Sequence, residues 1–423
     1  MAILQSNEFW NGASKKIADV LQTNGSSAMI VIDFEGLPAL DGIFGPLIVD
    51  SFLKEAASRL ASALQSTDII SCWGRHQIVC CLTYLLSSSH AELAAYKVLN
   101  VLSMPFQYMN REIILSTRIG VSISIGSDHS DSVNGLLRQA NVALQHACQE
   151  RESLKIFSHE LDELTLLEMD LIVDLERAID ESRIFLVYQP QVKLNSNQII
   201  GTEALLRWTH PLRGPIFPDR MIRTAERTAL ISKLTLWVMN TALRQTAEFR
   251  KAGLQLRTSI NMSAHNLREG DLVDLMGETL MIWGIPPELV LIELTETAIM
   301  QEHKQCIKTL QAFRDMGIRI AMDDFGTGYS SMALLGKLPI DELKIDISFI
   351  REMFTKPEHY KIVVTMIELG HAMGMQVVAE GVEDKGTFDQ LRGLGCDIAQ
   401  GHYIGYPLPQ PNLIEHVKNY NKS

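Results

Sequence analysis

From residue 28 to residue 33 the chain reads Ala-Met-Ile-Val-Ile-Asp, an apolar run closed by a carboxylate, and this predicts a buried strand. Residues 47–64 instead repeat their apolar side chains with helical spacing, which predicts an amphipathic helix. Further β-rich runs fall at 69–82 and 113–125, the second stopping at Gly126, and helical patterns cover 91–102 and 133–149. This order of elements predicts an α+β sheet domain ending near residue 158. Residues 161–182 then place Leu164, Leu167, Leu171 and Leu175 on one helical face. They read as a helical connector, or equally as the first helix of the unit that follows.

Beyond residue 182 strand-like and helix-like segments alternate. Apolar β-type runs occur at 185–194, 198–207, 258–263, 289–295, 319–325, 343–350, 376–382 and 397–404, most of them separated by helix-length segments such as 233–252 and 361–373. Such a count and alternation predict a parallel (β/α) barrel. Only Asn195, Ser196 and Asn197 separate the first two runs, too few for a parallel crossover, so the opening strand should pair antiparallel with the second. The expected architecture is a modified TIM-type barrel.

A (β/α) barrel assembles its active site at the C-terminal strand ends. Here those ends carry Glu203, Asn261, Glu293, Asp323 and Asp324, Lys344, Glu380 and Glu383, and Gln400. Any one of these alone reads more readily as a solvated charge or a salt-bridge partner. Together they would repel one another unless cations neutralised them. The donors are oxygens, with no thiolate and no histidine at a strand end, which favours magnesium or manganese over zinc. The run DDFGTGYSS, opening at Asp323, adds a Gly-containing loop suited to movement beside that site.

Lys plus Arg number 38 against 50 Asp plus Glu, a net charge of −12, so a basic footprint for DNA or an anionic membrane is missing and any phosphate must be bound locally. The six cysteines show no zinc spacing and read as reduced thiols. No signal-peptide pattern and no run of about 18 apolar residues occurs, and the expected location is cytoplasmic.

Glu203-Ala204-Leu205, followed by Leu206-Arg207-Trp208, resembles the signature of EAL-domain phosphodiesterases, bacterial signalling enzymes that hydrolyse the second messenger cyclic di-GMP to linear pGpG. The similarity extends over Tyr188-Gln189-Pro190, Asn261-Met262-Ser263, Glu293-Leu294-Thr295-Glu296, the run from Asp323, Leu343-Lys344-Ile345-Asp346, Glu380-Gly381-Val382-Glu383 and Gln400-Gly401. The resemblance implies a metal set of Glu203, Asn261, Glu293, Asp323 and Asp324, with Glu380 nearby. It implies catalytic roles for Glu203, Lys344 and Glu380, with Lys344 orienting the attacking water. Gln189, Arg207, Glu383 and Gln400 are then substrate contacts, and Glu296 stabilises the loop. Two magnesium or manganese ions per site, inhibition by calcium and a homodimer through the EAL domain are further implications. The competing reading is a receptor that binds cyclic di-GMP without cleaving it.

The first half resembles a GGDEF domain, the cyclase module, through Asp33-Phe34-Glu35, Phe44-Gly45, Asp50 and the turn Trp73-Gly74-Arg75-His76-Gln77-Ile78. In that turn Arg75 stands where the family has glycine, and His76 and Gln77 replace its acidic pair. Gln65, three before Asp68, stands where the family's product-inhibition site has arginine. The resemblance therefore implies a degenerate domain without diguanylate cyclase activity, regulatory or structural in role. Binding of GTP or another nucleotide stays open, as does support of dimerisation. His76 as a ligand and Trp73 as a base-stacking surface compete with a plain turn and core edge. The expected organisation is a GGDEF-like domain over 1–160, the connector over 161–182 and an EAL domain over 183–415.

Overall fold

The computed structural model describes residues 3–4, 6–22, 25–108, 111–125, 132–296, 305–326 and 335–422. The chain divides into two units, Met1–Asp170 and Leu171–Ser423, and the boundary falls inside a helix, His159–Asp180. The expected strand end at Gly126 and loop residues 327–331 lie outside the described residues.

In the first unit the main sheet holds β1 (Ile3–Leu4), β2 (Ser26–Glu35), β3 (Ile69–Trp73), β4 (Gln77–Leu85), β7 (Ser116–Ile125) and β8 (Leu154–Ile156), in the order β1-β3-β4-β2-β7-β8. A separate hairpin is made by β5 (Phe106–Tyr108) and β6 (Arg111–Ile113). Alternation along β2 explains its apolar run. Ala28, Ile30, Ile32 and Phe34 enter one core with the Pro46–Ala63 and Ser88–Leu102 helices, while Met29 and Val31 enter another with Phe9, Ala13, Leu136 and Ala140. Both faces are covered, so every position from Ala28 to Ile32 is apolar. At Gly120 β7 runs against the Val133–Gln149 helix so closely that a Cβ would lie 2.1 Å from the Ala140 carbonyl oxygen. The Ser6–Gln22 helix, whose Phe9 and Ala13 are fully buried, has no counterpart in the sequence reading.

The second unit is a closed eight-stranded barrel of β9 (Ile184–Lys193), β10 (Gln198–His210), β12 (Arg257–Asn261), β13 (Val290–Thr295), β14 (Arg319–Phe325), β15 (Glu342–Ile345), β16 (Gln376–Ala379) and β17 (Ile398–Gln400). As expected from the short 195–197 connection, β9 pairs antiparallel with β10, and it closes the barrel antiparallel to β17. The other barrel pairs are parallel. A short strand, β11 (Gly214–Ile216), folds back on the end of β10. Outward residues such as Ile260, Ile292, Ile320, Leu343 and Val377 pack into the main core with the surrounding helices. The inward positions are largely polar. At the strand starts Arg257 and Arg319 both pair with the buried Glu342, and Arg319 also donates to Gln376 at 2.8 Å.

The expected strand at 343–350 is corrected: it ends at Ile345 and a helix, Ile347–Arg351, follows. The reason is Asp346, whose side chain caps that helix by accepting from the Ser348 N–H at 2.9 Å, overriding the β-branched residues beyond it. The run at 376–382 likewise stops at Ala379, before Gly381 turns the chain with φ +65° against Ile347. The run at 397–404 keeps only Ile398–Gln400 as strand.

Candidate active site

Registration across the strands brings the candidate residues to one end of the barrel. Glu203 in β10 lies opposite Gln189 in β9, Asn261 ends β12 opposite Glu293, and Thr295 lies opposite Asp323. Lys344 is the third residue of β15, Glu380 follows β16 directly, and Gln400 ends β17 opposite Gln191. Side chains alternate along each strand, so residues two apart share the barrel interior.

At the centre is Lys344, 1% exposed. Its Nζ lies 2.6 Å from Glu380, 2.8 Å from Glu293, 3.1 Å from Asp323 and 3.7 Å from Glu203. The Asn261 amide donates to Glu203 Oε1 at 2.7 Å, and Gln400 donates to Glu203 Oε2 at 2.6 Å and to Gln189 at 3.0 Å. Two groups of three carboxylates converge here, Glu203 with Glu293 and Asp323, and Asp323 with Asp324 and Glu380; within each, one oxygen per residue lies within 4.8 Å of the others. One ammonium cannot neutralise this many acids, and the all-oxygen donor set fits a hard divalent cation.

The electrostatics show the same excess. Burial, reinforced by Glu203, pushes Glu293 well above the ordinary carboxylate range. Burial, with Asp323 and Glu203 adding to it, raises Glu380 to about 8 despite Lys344. Asp324 is raised to about 6, by burial first and then by Asp323 and Asp346. For Glu203 burial acts upward but is outweighed by Lys344 and the amides of Gln400 and Asn261, and its pKa is lowered. Burial likewise favours the neutral amine of Lys344, yet the surrounding carboxylates win and raise it.

Asp324 occupies the left-handed region at φ 54°, a conformation costing about 1–2 kcal/mol for most residues. Its N–H donates to Asp323 Oδ1 at 3.0 Å. Glu296, buried to 1% exposure, accepts from the Gly326 N–H at 2.9 Å and so holds the chain just after the two aspartates.

An open cavity of about 280 Å³ lies over the cluster, lined by Gln189, Glu203, Asp323, Glu380, Glu383 and Gln400 among others. Glu383 reaches it while paired with Arg351 at 2.6 Å. Arg207 shares the inward face of β10 with Glu203, but its guanidinium donates to the Leu206 carbonyl at 2.8 Å and it is not among the residues lining the cavity. The sequence reading missed Ile347 and His402, which also line it, and His402 stacks on Tyr406 with ring centroids 4.3 Å apart. It also missed Gln191, whose only sequence signal is its place two residues from Gln189.

In the first unit the β3–β4 turn is occupied by its own side chains. Arg75 pairs with Asp41 at 3.2 Å, His76 lies 3.7 Å from the same carboxylate, and Gln77 donates to Asp33 at 3.1 Å. Trp73 packs edge-on against Trp10 and Phe9, at 5.6 and 6.2 Å between centroids.

A family model described as "EAL domain" matches residues 172–407, and one described as "Diguanylate cyclase, GGDEF domain" matches residues 7–153. Among curated proteins, the Pseudomonas aeruginosa bifunctional diguanylate cyclase/cyclic di-GMP phosphodiesterase MucR is 31% identical over 403 residues, 95% of this chain and 58% of that protein. The cyclic di-GMP phosphodiesterase NbdA of the same organism is 31% identical over 396 residues, 93% of this chain and 50% of that protein. The chain thus spans about half the length of the curated relatives it matches. Among solved structures, the PaMucR phosphodiesterase in complex with c-di-GMP is 36% identical, with a TM-score of 0.56 over 58% of this chain and 99% of that one. The EAL enzyme Bd1971 in its cAMP and cyclic-di-GMP bound form, at 22% identity and a TM-score of 0.59 over 93% of this chain and 95% of that one, shares the fold. The barrel with its antiparallel first strand, and a family match over more than half of the chain, establish that this protein belongs to the EAL-domain family and carries a GGDEF domain ahead of its barrel.

Proposed function

We propose that the chain is a cyclic di-GMP phosphodiesterase, hydrolysing one phosphodiester bond of the cyclic dinucleotide to give linear pGpG. The observation that carries this reading is the convergence of Glu203, Glu293, Asp323, Asp324 and Glu380 around Lys344 beneath an open cavity. Glu203, Asn261, Glu293, Asp323 and Asp324 would hold two magnesium or manganese ions, which supply charge neutralisation at the phosphoryl oxygens and a water activated near neutral pH. Lys344 orients the attacking water and adds positive charge beside the phosphate, and Glu380 holds the Lys344 ammonium. Gln189, Glu383 and Gln400 contact the nucleotide from the cavity wall, and Arg207 swings from the Leu206 carbonyl to grip a phosphate oxygen pair. Glu296 keeps Asp323 and Asp324 in place by holding Gly326.

In this reading the GGDEF domain is not a working cyclase. Its turn supports that: Arg75 and His76 approach Asp41, and the Gln77 amide engages Asp33, leaving their carboxylates committed to the protein's own side chains. The domain is then regulatory, and dimerisation through the EAL domain belongs to the same proposal. Four of the six cysteines, Cys80, Cys81, Cys306 and Cys396, are buried and no disulfide is seen among the described residues, which supports a reducing compartment such as the cytoplasm. The test is to incubate purified protein with cyclic di-GMP and magnesium or manganese and to separate the products. Linear pGpG supports the enzyme, whereas tight binding with the nucleotide recovered intact supports the receptor reading.

A further inference from the structure

Behind the candidate site lies Gln191, a side chain 1% exposed that is not among the residues lining the cavity. It sits on β9 between Gly201 of β10 and Gln400 of β17. Its Nε2 donates to Gln400 Oε1 at 2.8 Å. Gln400 in turn donates from Nε2 to Glu203 at 2.6 Å and to Gln189 at 3.0 Å. The direction of this chain of bonds is forced by chemistry. An ionised carboxylate only accepts, so Gln400 must present its NH₂ to Glu203, and its carbonyl then faces backwards and needs a donor. Gln191 is that donor.

Space for it is built in. A Cβ at Gly201 would stand 3.0 Å from Gln191 Oε1 and 3.2 Å from the Arg257 carbonyl oxygen, so an ordinary side chain there would crowd the amide out of position. Among the described residues Gln191 Oε1 is buried with no hydrogen-bond partner, a cost of about 1–3 kcal/mol. A carbon side chain of the same size would only move that cost to the Gln400 carbonyl, which would lose its donor. Folding stability alone therefore does not single out glutamine at this position, whereas orientation of Gln400 accounts for it.

We propose that Gln191 is a positioning residue: by fixing which way the Gln400 amide faces, it keeps a donor on Glu203 and so presets that carboxylate for a divalent cation. This inference rests on the metal-dependent reading of the site given above. Gln400 bonds the proposed ligand directly, a position whose loss typically changes metal affinity or activity about 10–100-fold, and Gln191, one bond further out, acts by setting its direction.

The test measures manganese binding by electron paramagnetic resonance of the free ion, alongside turnover of cyclic di-GMP, for wild type, Q191L and Q191E. Q191L should raise the manganese dissociation constant about tenfold or more and lower kcat, with the far-ultraviolet dichroism unchanged. Should Q191L fail to fold, Q191E, of nearly the same shape, decides. Its ionised form can only accept, drawing the Gln400 amide away from Glu203, while its protonated form can donate again. The affinity of Q191E divided by that of wild type at each pH should therefore return towards one as pH falls. Wild-type manganese affinity in Q191L, or a Q191E ratio that stays at one value across a pH range in which the infrared carboxyl band shows the introduced carboxyl ionising, would overturn the proposal. A wild type that binds manganese without cleaving the nucleotide defeats the phosphodiesterase reading and leaves this comparison decisive. No manganese binding by wild type defeats both.

Discussion

Lys344 gives the sharpest separation of binding from chemistry at the level of single residues. Glu203→Ala or Asp323→Asn removes a proposed cation ligand and should abolish hydrolysis. Lys344→Ala should lower the chemical step while affinity for cyclic di-GMP, measured in calcium to prevent turnover, stays within about tenfold, or roughly 1.4 kcal/mol. Calcium itself should occupy the oxygen site and fail to support cleavage, because its longer and looser coordination misplaces the reacting groups. Lost binding with a preserved single-turnover rate would contradict the role given to Lys344. The raised carboxylates make a second prediction. A carboxyl whose folded pKa exceeds its unfolded value binds more protons when folded, so stability falls as pH rises between the two values. For Glu380, raised to about 8, and Asp324, raised to about 6, this loss should appear in chelator-treated protein from about pH 4 to about pH 8. Saturating magnesium should shrink it, and thermal melts with and without chelator at both ends of that window measure the difference. Glu203 and Lys344 shift in directions that place their contributions below and above this range.

At the scale of elements, the end of β14 depends on Glu296. Glu296→Ala leaves the Gly326 N–H without its partner and frees the segment carrying Asp323 and Asp324, so metal affinity and turnover should both fall about 10–100-fold although Glu296 belongs to neither carboxylate group. Unchanged manganese affinity in that variant would remove the tether. The barrel floor should answer to stability instead. Arg257→Ala leaves the buried Glu342 paired with the part-exposed Arg319, and breaking such a buried pair costs about 3–5 kcal/mol, readable by urea unfolding. These elements also show what the sequence could disclose. The helix at 133–149 and the strand at 319–325 match residue for residue, because apolar periodicity and their flanks agree. The run at 343–350 misled because a capping aspartate in its middle outweighs β-branched neighbours. Gln191 stayed hidden because its partners, Gly201 and Gln400, become neighbours only when β9 closes the barrel. The carboxylates and Lys344 were legible at strand ends, whereas the engagement of Arg207 with the Leu206 carbonyl depends on side-chain geometry that no pattern encodes.

For the whole molecule, the unit boundary inside the His159–Asp180 helix frames a regulatory prediction. That helix is held on one side of the boundary by Arg138 on Asp162 and by His146 beside Thr165, and on the other by His210 on Asp174 and by Lys233 on Asp180. Removing residues 1–160 should therefore change the phosphodiesterase rate or the dimer equilibrium while every proposed catalytic residue stays in place. Identical rates and identical oligomeric state in full-length and truncated protein, with and without GTP, would eliminate regulation by the GGDEF domain. Cyclic di-GMP formed from GTP would overturn its reading as a degenerate cyclase. The central claim is tested most directly by a single-turnover experiment, with enzyme in excess over cyclic di-GMP and products resolved by chromatography. Wild type with magnesium or manganese should convert the cyclic dinucleotide to pGpG, and Asp323→Asn or calcium-loaded protein should return it intact. Intact nucleotide from the wild type under saturating magnesium, or cleavage by Asp323→Asn at the wild-type rate, would contradict the account.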